Sequence, residues 1–394
     1  MKVLALLSDN PWPPNTGSRV RNAYLWPELQ RLGVEVRLLA LDQGHGPIVR
    51  NHAADAGGRT EVELHTLDRE RLPLRAWHAL TRSYHQWPVS SSLRQRVHEF
   101  MHGWHPDVIH AEELRMAAYL PDRSHLPRSL RTMTLHNVES DLLRQTGSTA
   151  VRRGRPLVEL LHRASLARFE REAVLGADLA FAYSAADLAR YRQLVPGGRW
   201  AATRNGTHAA AITPAPPPTP PAVLLLGSLG YAPNVQGLYW FLDHVLPLLP
   251  RGVAVTIAGS RAPDEVRRRL ARAPVRFEDS PEDVAPLYAA HALCVVPVFQ
   301  GSGTRGKILE ALAYERAVVT TTPGVGGLEL SEGEGFVLAD DAERFAAQLA
   351  RLVAAPDERA ALARRGRAAV LERYDWSAVA GDLLAAWSSR TAHR

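Results

Sequence analysis

The chain has 394 residues, enough for two or three domains of ordinary size. Apolar residues make up 46% and charged residues 22%, the mix of a folded chain, which excludes disorder, collagen and coiled coil. The formal net charge is +6, and Lys2 and Lys307 are the only lysines, so the positive charge is almost wholly arginine. One cysteine, Cys294, excludes an internal disulfide and a cysteine metal cluster. No apolar run approaches the roughly 18 residues of a spanning helix. Val3–Leu7 is too short for an export signal and breaks at Ser8-Asp9-Asn10, so the expected compartment is the cytoplasm. A mildly basic chain suits phosphate-bearing ligands or an anionic surface. Zinc-finger spacing, a basic recognition helix and an aromatic RNA-binding signature are all missing, so no nucleic acid is expected as partner.

In chain order, short apolar runs alternate with helical patterns. Strands are expected at Val3–Leu7, Val34–Leu41, Thr60–Leu64, Asp107–His110, Thr132–Leu135 and Leu179–Ala182, with a helix at Arg19–Leu32. This is the βαβ rhythm of a parallel sheet covered on both faces. Between the third and fourth runs, Arg71–Trp104 interleaves arginines with Trp77, Tyr84, Trp87, Phe100 and Trp104. That pattern suits peripheral contact with an anionic membrane surface and equally an amphipathic helix pair over a sheet.

Thr213–Pro221 holds six prolines in nine residues. It can donate almost no backbone hydrogen bonds and reads as an extended spacer between domains. The alternation then restarts. Strands are expected at Val223–Leu226, Val253–Ile257, Val275–Phe277, Ala292–Val296, Ala317–Thr321 and Gly335–Leu338. Helices are expected at Val235–Leu249, Asp264–Ala271, Glu282–Ala290, Lys307–Tyr314, Asp341–Val353, Asp357–Arg373 and Trp376–Trp387. The expected fold is therefore α/β, two parallel-sheet domains in tandem, with ligands at the carboxyl ends of the strands.

Chemistry concentrates at residues 297–314, where a strand, the glycine-rich turn Gly301-Ser302-Gly303-Thr304-Arg305-Gly306 and a helix follow one another. Unsatisfied N–H groups and the helix dipole make such a turn a phosphate cradle, and Arg305 and Lys307 add full charges. The turn spells the dinucleotide fingerprint, but late in the chain, with Thr320-Thr321-Thr322 closing the next strand where an acidic residue belongs. Read as a P-loop it has Ile308 in place of the Ser or Thr that holds Mg²⁺.

A longer pattern covers Ala292–Leu328: strand, Pro297, glycine-rich turn, Leu309-Glu310-Ala311-Leu312-Ala313, Val318-Val319-Thr320-Thr321, Gly324, then Gly327-Leu328. It resembles the donor-binding segment of family 4 glycosyltransferases, retaining enzymes of GT-B fold. The resemblance extends to Pro13-Pro14-Asn15-Thr16-Gly17 (an N-terminal glycine loop) and to Leu135-His136-Asn137-Val138-Glu139 (a central histidine segment). It also takes in Arg204-Asn205-Gly206 at the junction and Gly227-Ser228-Leu229 with Asn234 and Gly237 at the start of the second domain. It implies two Rossmann-like domains facing each other across a cleft. Residues 1–212 would bind acceptor, 213–221 link, 222–373 bind the nucleotide sugar, and the helix in 374–394 would pack back on the first domain.

The resemblance implies that Glu310 holds the nucleotide ribose and that His136 positions the donor sugar. The family's second Glu, eight residues before Glu310, is Ser302 here, so backbone groups of Gly303 and Thr304 would hold the sugar hydroxyls. Gly17, Asn205 and Ser228 complete the expected donor contacts. Glu112 and Glu139 are candidates for the acceptor, and Arg19 and Arg21 for a phosphate. The family's cations after the opening glycine of the second domain are missing from Gly227–Asn234. Arg305 and Lys307 are therefore expected to neutralise the diphosphate.

The expected activity is sugar transfer from a nucleotide-diphosphate-sugar to a hydroxyl of a glycan, lipid or small molecule. No Asp-x-Asp pair is present, so neither metal nor resident cofactor is expected, and the leaving phosphate would serve as base. Two other classes stand beside this one: an oxidoreductase using the 301–306 turn for a nucleotide cofactor, and a non-catalytic basic binding protein.

Overall fold

The computed structural model describes residues 1–14, 16–42, 60–68, 90–125, 129–146, 156–300 and 306–391. The chain divides into two compact units, Met1–Arg204 with Val379–Arg394, and Asn205–Ala378. The proline-rich segment 213–221 lies within the second of these units. Residues 205–221 fall in the second unit, where the buried Arg316 and the partly buried Arg367 hold them. Arg316 Nη2 donates to Ala215 O at 2.8 Å and Arg367 Nη2 to Ile212 O at 2.7 Å. These bonds tie the start of the proline stretch to the second unit.

In the first unit β1 (Lys2–Leu7), β2 (Glu35–Asp42), β3 (Val62–Thr66), β4 (Val108–Glu112), β5 (Leu130–Leu135), β6 (Leu179–Ala182) and β7 (Trp200–Ala202) form one parallel sheet. Its order is β3-β2-β1-β4-β5-β6-β7, the doubly wound arrangement with its switch between β1 and β4. Strands buried on both faces must be nearly continuous apolar runs, and Val3–Leu7 has no exposed surface at all. Leu4, Leu6, Leu39, Leu41, Ile109, Ala111, Met133 and Leu135 form one core with Leu93 and Val97 from the helix Ser91–Gly103.

The C-terminal helix Trp376–Thr391 enters this unit at Val379. Its Trp387 is fully buried and stacks on Trp26 with ring centroids 6.5 Å apart. Arg204 Nη1 donates to Asp382 at 2.7 Å on the same helix.

The second unit repeats the scheme with β8 (Val223–Leu226), β9 (Val255–Gly259), β10 (Arg276–Asp279), β11 (Leu293–Val296), β12 (Ala317–Thr320) and β13 (Phe336–Leu338). The order is β10-β9-β8-β11-β12-β13, again parallel. Alternation along the strands separates two cores. Val223, Leu225, Ile257, Val295 and Val319 meet Phe241 and Phe345, while Leu224, Cys294, Val296 and Val318 meet Ile308, Leu309 and Leu312 of the helix Gly306–Ala313. Cys294 is a core residue whose thiol burial pushes up to about 12. The single expected helix Val235–Leu249 is a helix Ala232–Trp240, a wider π turn Phe241–Val245 and a 3₁₀ turn Leu246–Leu248, because Pro247 supplies no N–H to continue the ladder.

Candidate active site

Strand register assembles a cluster at the carboxyl edge of the first sheet. Glu112 ends β4 opposite Thr134, and Leu135 ends β5 opposite Ala182. The next residues along, His136 and Tyr183, therefore emerge side by side. Their rings stack with centroids 4.6 Å apart.

Glu112 has no exposed surface. Its Oε1 accepts from Arg21 Nε at 2.8 Å, His136 Nε2 at 2.9 Å and the Tyr183 hydroxyl at 3.2 Å, and its Oε2 accepts from His110 Nε2 at 3.0 Å. Burial works against the carboxylate, but the adjoining Arg21 guanidinium and the two imidazole hydrogen bonds win and hold its pKa well below the ordinary value. Burial lowers the pKa of His110 as well, which favours its neutral ring. Arg21 is also fully enclosed and donates from Nη1 to Arg204 O at 2.8 Å.

Two expectations change here. Glu112 presents nothing to an acceptor, since an enclosed carboxylate with four donors has no oxygen left to offer. Arg19 and Arg21 likewise serve the protein itself. Arg19 Nε donates to Asp9 at 2.8 Å and fixes the segment that leads into the helix Gly17–Arg31, while Arg21 neutralises Glu112. Gly17 opens that helix, and a Cβ there would meet nothing within 4 Å, so crowding gives no reason for a glycine.

Around this buried centre lie the reachable groups. Glu113 has φ 78°, a conformation costly for a residue with a Cβ and common where sites store strain. Its Oε1 accepts from the Ser18 hydroxyl and stands 3.5 Å from His136 Nδ1. Glu139 begins the helix Glu139–Thr146. Burial first, then the charges of Glu170 and Glu113, push its carboxyl up to about 7. Glu170 caps the same helix, accepting from Glu139 N at 3.0 Å and from the Tyr191 hydroxyl at 2.8 Å.

In the second unit the carboxyl edge carries the turn after β8. Lys307, from the first turn of the helix Gly306–Ala313, donates to Asn234 Oδ1 at 2.6 Å. Asn234 Nδ2 in turn donates to Ser228 O at 2.8 Å. Glu310 lies one turn further along the same helix. Burial raises its pKa, and the Tyr288 hydroxyl donates to its Oε2 at 3.0 Å. Oε1 has no hydrogen-bond partner among the described residues. Tyr288 lies flat against Tyr314, with centroids 4.4 Å apart. At the junction, Asn205 Oδ1 is buried with no hydrogen-bond partner among the described residues.

Ser302, Gly303, Thr304 and Arg305 lie outside the described residues, as does most of the Arg71–Trp104 segment. In its described part, Arg96 pairs with Glu63 and Glu99, and Trp104 Nε1 donates to Glu35 at 3.0 Å. No described helix is long and apolar enough to cross a membrane. Among the described residues no group of three His, Cys, Asp or Glu can hold a metal ion.

Residues 220–355 match the model of the family "Glycosyl transferases group 1". The second unit carries a glycosyltransferase domain. A curated relative, an uncharacterized 44.6 kDa protein in the cps region of Klebsiella pneumoniae, is 29% identical over 136 residues, 32% of this chain. The match spans 35% of that relative's length. Solved structures show the two-domain GT-B fold over the whole chain. Sucrose-phosphate synthase from Thermosynechococcus elongatus superposes with a TM-score of 0.71 at 18% identity, covering 100% of both chains. Anabaena Alr3699/HepE in complex with UDP-glucose gives 0.66 at 16% identity, covering 99% of this chain and 100% of that one. The trehalose-6-phosphate protein of Escherichia coli bound with UDP-2-fluoro glucose gives 0.63 at 12% identity over 98% of each.

Proposed function

We propose that this chain is a family 4 glycosyltransferase. It moves a sugar from a nucleotide-diphosphate-sugar to an acceptor hydroxyl, with retention at the anomeric carbon and without a metal or resident cofactor. The observation that carries the reading is the second-unit site within the matched glycosyltransferase domain. There a lysine stands against the turn after the first strand, and a buried carboxylate with one unpartnered oxygen follows one helical turn later.

On this reading Lys307 meets the diphosphate, whose negative charge grows as the bond to the sugar breaks. A fixed cation and fixed donors stabilise that charge without reorganising. Glu310 accepts a ribose hydroxyl through Oε1, while Tyr288 holds Oε2. His136, with Gly17, Asn205 and Ser228, contacts the donor, and Glu139 takes the acceptor-side role. The departing phosphate removes the acceptor's proton. Solved structures of like fold hold UDP, UDP-glucose or UDP-2-fluoro glucose, which makes a UDP-sugar the first donor to try. A glycan, a lipid-linked sugar or a small molecule fits as acceptor, and the cytoplasm, with peripheral contact at the inner membrane face through 71–104, is the proposed setting.

The test is a thermal-shift screen against UDP-, GDP-, ADP- and dTDP-sugars, followed by NMR of the product. A ligand at 100 times its dissociation constant adds about 2.7 kcal/mol. Stabilisation by none of the four would overturn the reading. An inverted product would overturn retention alone.

A further inference from the structure

The pairing of His136 with a buried carboxylate decides which atom of the ring is available to a substrate. We propose that Glu112 is a positioning residue that fixes His136 as its Nε2–H tautomer, so that His136 meets a sugar hydroxyl through Nδ1, as an acceptor. What the ring touches rests on the transferase reading; how the ring is held does not.

The argument begins with charge. Glu112 shares its enclosed space with the Arg21 guanidinium, 2.8 Å away, and neither has exposed surface. An ionised carboxylate has lone pairs and no proton, so every polar atom within bonding distance of it must be a donor. His136 Nε2 lies 2.9 Å from Oε1 and must therefore carry the hydrogen. In the neutral ring only one nitrogen is protonated, so Nδ1 is left with its lone pair.

Rotation is closed off as well. The imidazole lies against Tyr183, whose hydroxyl bonds the same Glu112 oxygen. The Arg21 guanidinium also sits over the Tyr183 ring, 4.9 Å from its centroid. Flipping the ring would bring a C–H to Glu112 and remove one of the donors to its buried Oε1.

The other edge of His136 tells what it is arranged to meet. The side chain is 14% exposed, and Nδ1 stands 3.5 Å from Glu113 Oε1. In the neutral ring these are two acceptors side by side with no proton between them. A donor O–H satisfies that arrangement, and a sugar presents several. Ser18 already donates to Glu113, which holds that carboxylate toward the ring. The buried set of Arg21, Glu112 and Tyr183 thus does for His136 what an orienting carboxylate does for any working imidazole: it assigns the proton to one nitrogen and the task to the other.

The experiment is ¹⁵N NMR of the full chain with labelled histidine, at a pH where the ring is neutral. His136→Asn identifies the His136 signals by their loss. The expected result is a protonated Nε2 and an unprotonated Nδ1. Protonation on Nδ1 overturns the proposal. The second arm replaces the buried pair together, Arg21→Met with Glu112→Leu, since swapping a buried ion pair for apolar groups of like volume is often neutral for folding. The folded variant should show both tautomers. With the best donor, its kcat should fall about tenfold or more, while KM for the donor stays within about threefold. A folded variant with an unaltered His136 spectrum and unaltered kcat overturns the proposal too. If that variant does not fold, the wild-type spectrum decides alone. If no donor is turned over by the wild type, the transferase reading fails while the tautomer assignment stands or falls on its own spectrum.

Discussion

Lys307 Nζ donates to Asn234 Oδ1 across 73 residues of chain, at 2.6 Å. A Cβ built on Gly227 would stand 3.1 Å from the same ammonium. The turn after β8 has no cation of its own, and the helix Gly306–Ala313, which follows β11, supplies one. We expect Lys307→Ala to cut turnover about 10²- to 10³-fold, the usual loss for one electrostatic donor, with circular dichroism unchanged. Lys307→Arg should rescue poorly, because the space beside Gly227 fits a compact ammonium. Near-normal rates in Lys307→Ala would move the diphosphate elsewhere.

Glu310→Ala should weaken free nucleoside diphosphate by the value of a charged hydrogen bond, about 1.5–3 kcal/mol, read by calorimetry. Tyr288→Phe leaves the carboxylate in place and removes one donor to it. It should lower stability by about 1 kcal/mol and change nucleotide affinity less than Glu310→Ala does. An equal affinity loss in both would show that the tyrosine, not the carboxylate, meets the ligand.

Glu139 makes stability depend on pH in a stated direction. Its folded carboxyl is raised from 4.5 to about 7, so the fold favours the protonated form. The stabilising contribution is complete below about pH 4.5 and fades as pH rises toward 7. Glu170, Glu113 and His136 face the group and set the shift with burial. Across that window the wild type should lose up to about 3 kcal/mol relative to Glu139→Gln, measured by urea unfolding. Parallel pH curves for the two proteins would refute the assignment.

Gly237 lies in the helix Ala232–Trp240, where a Cβ would come within 1.7 Å of the Pro297 carbonyl oxygen. Backbone cannot yield as a flexible side chain can. Gly237→Ala should therefore destabilise the second unit by at least the 1–3 kcal/mol of ordinary overpacking, and donor binding should fall with it. A melting temperature within a degree of wild type would show that the helix can shift away at no cost.

Most strands were legible because parallel strands buried on both faces read as plain apolar runs. Val223–Leu226 and Leu179–Ala182 coincide with their expected limits. The edge strand Trp200–Ala202 was missed because three residues carry no period. The site was legible only by position. Glu112 and His136 stand at strand ends, as the alternation requires, but no spacing along the chain reveals that Arg21, His110 and Tyr183 converge on one carboxylate. Hydrogen-bond exhaustion of Glu112 is a property of the folded edge. The ties on the proline stretch are hidden for a similar reason: its composition describes a free chain, and the arginines that bond its start come from a hundred or more residues later.

The first unit takes its last core residues from the end of the helix Trp376–Thr391, while the second unit is an unbroken stretch, Asn205–Ala378. During synthesis the order of completion is therefore reversed with respect to the order of translation. A ribosome has made the whole of the later unit before it makes Trp387, which closes the earlier one against Trp26. Until then the nascent first unit lacks the ring that stacks on Trp26, and a chain stopped before Trp387 never gains it. Replacing Trp387 by Ala, at a typical cost of about 3–5 kcal/mol, is a milder version of the same interruption.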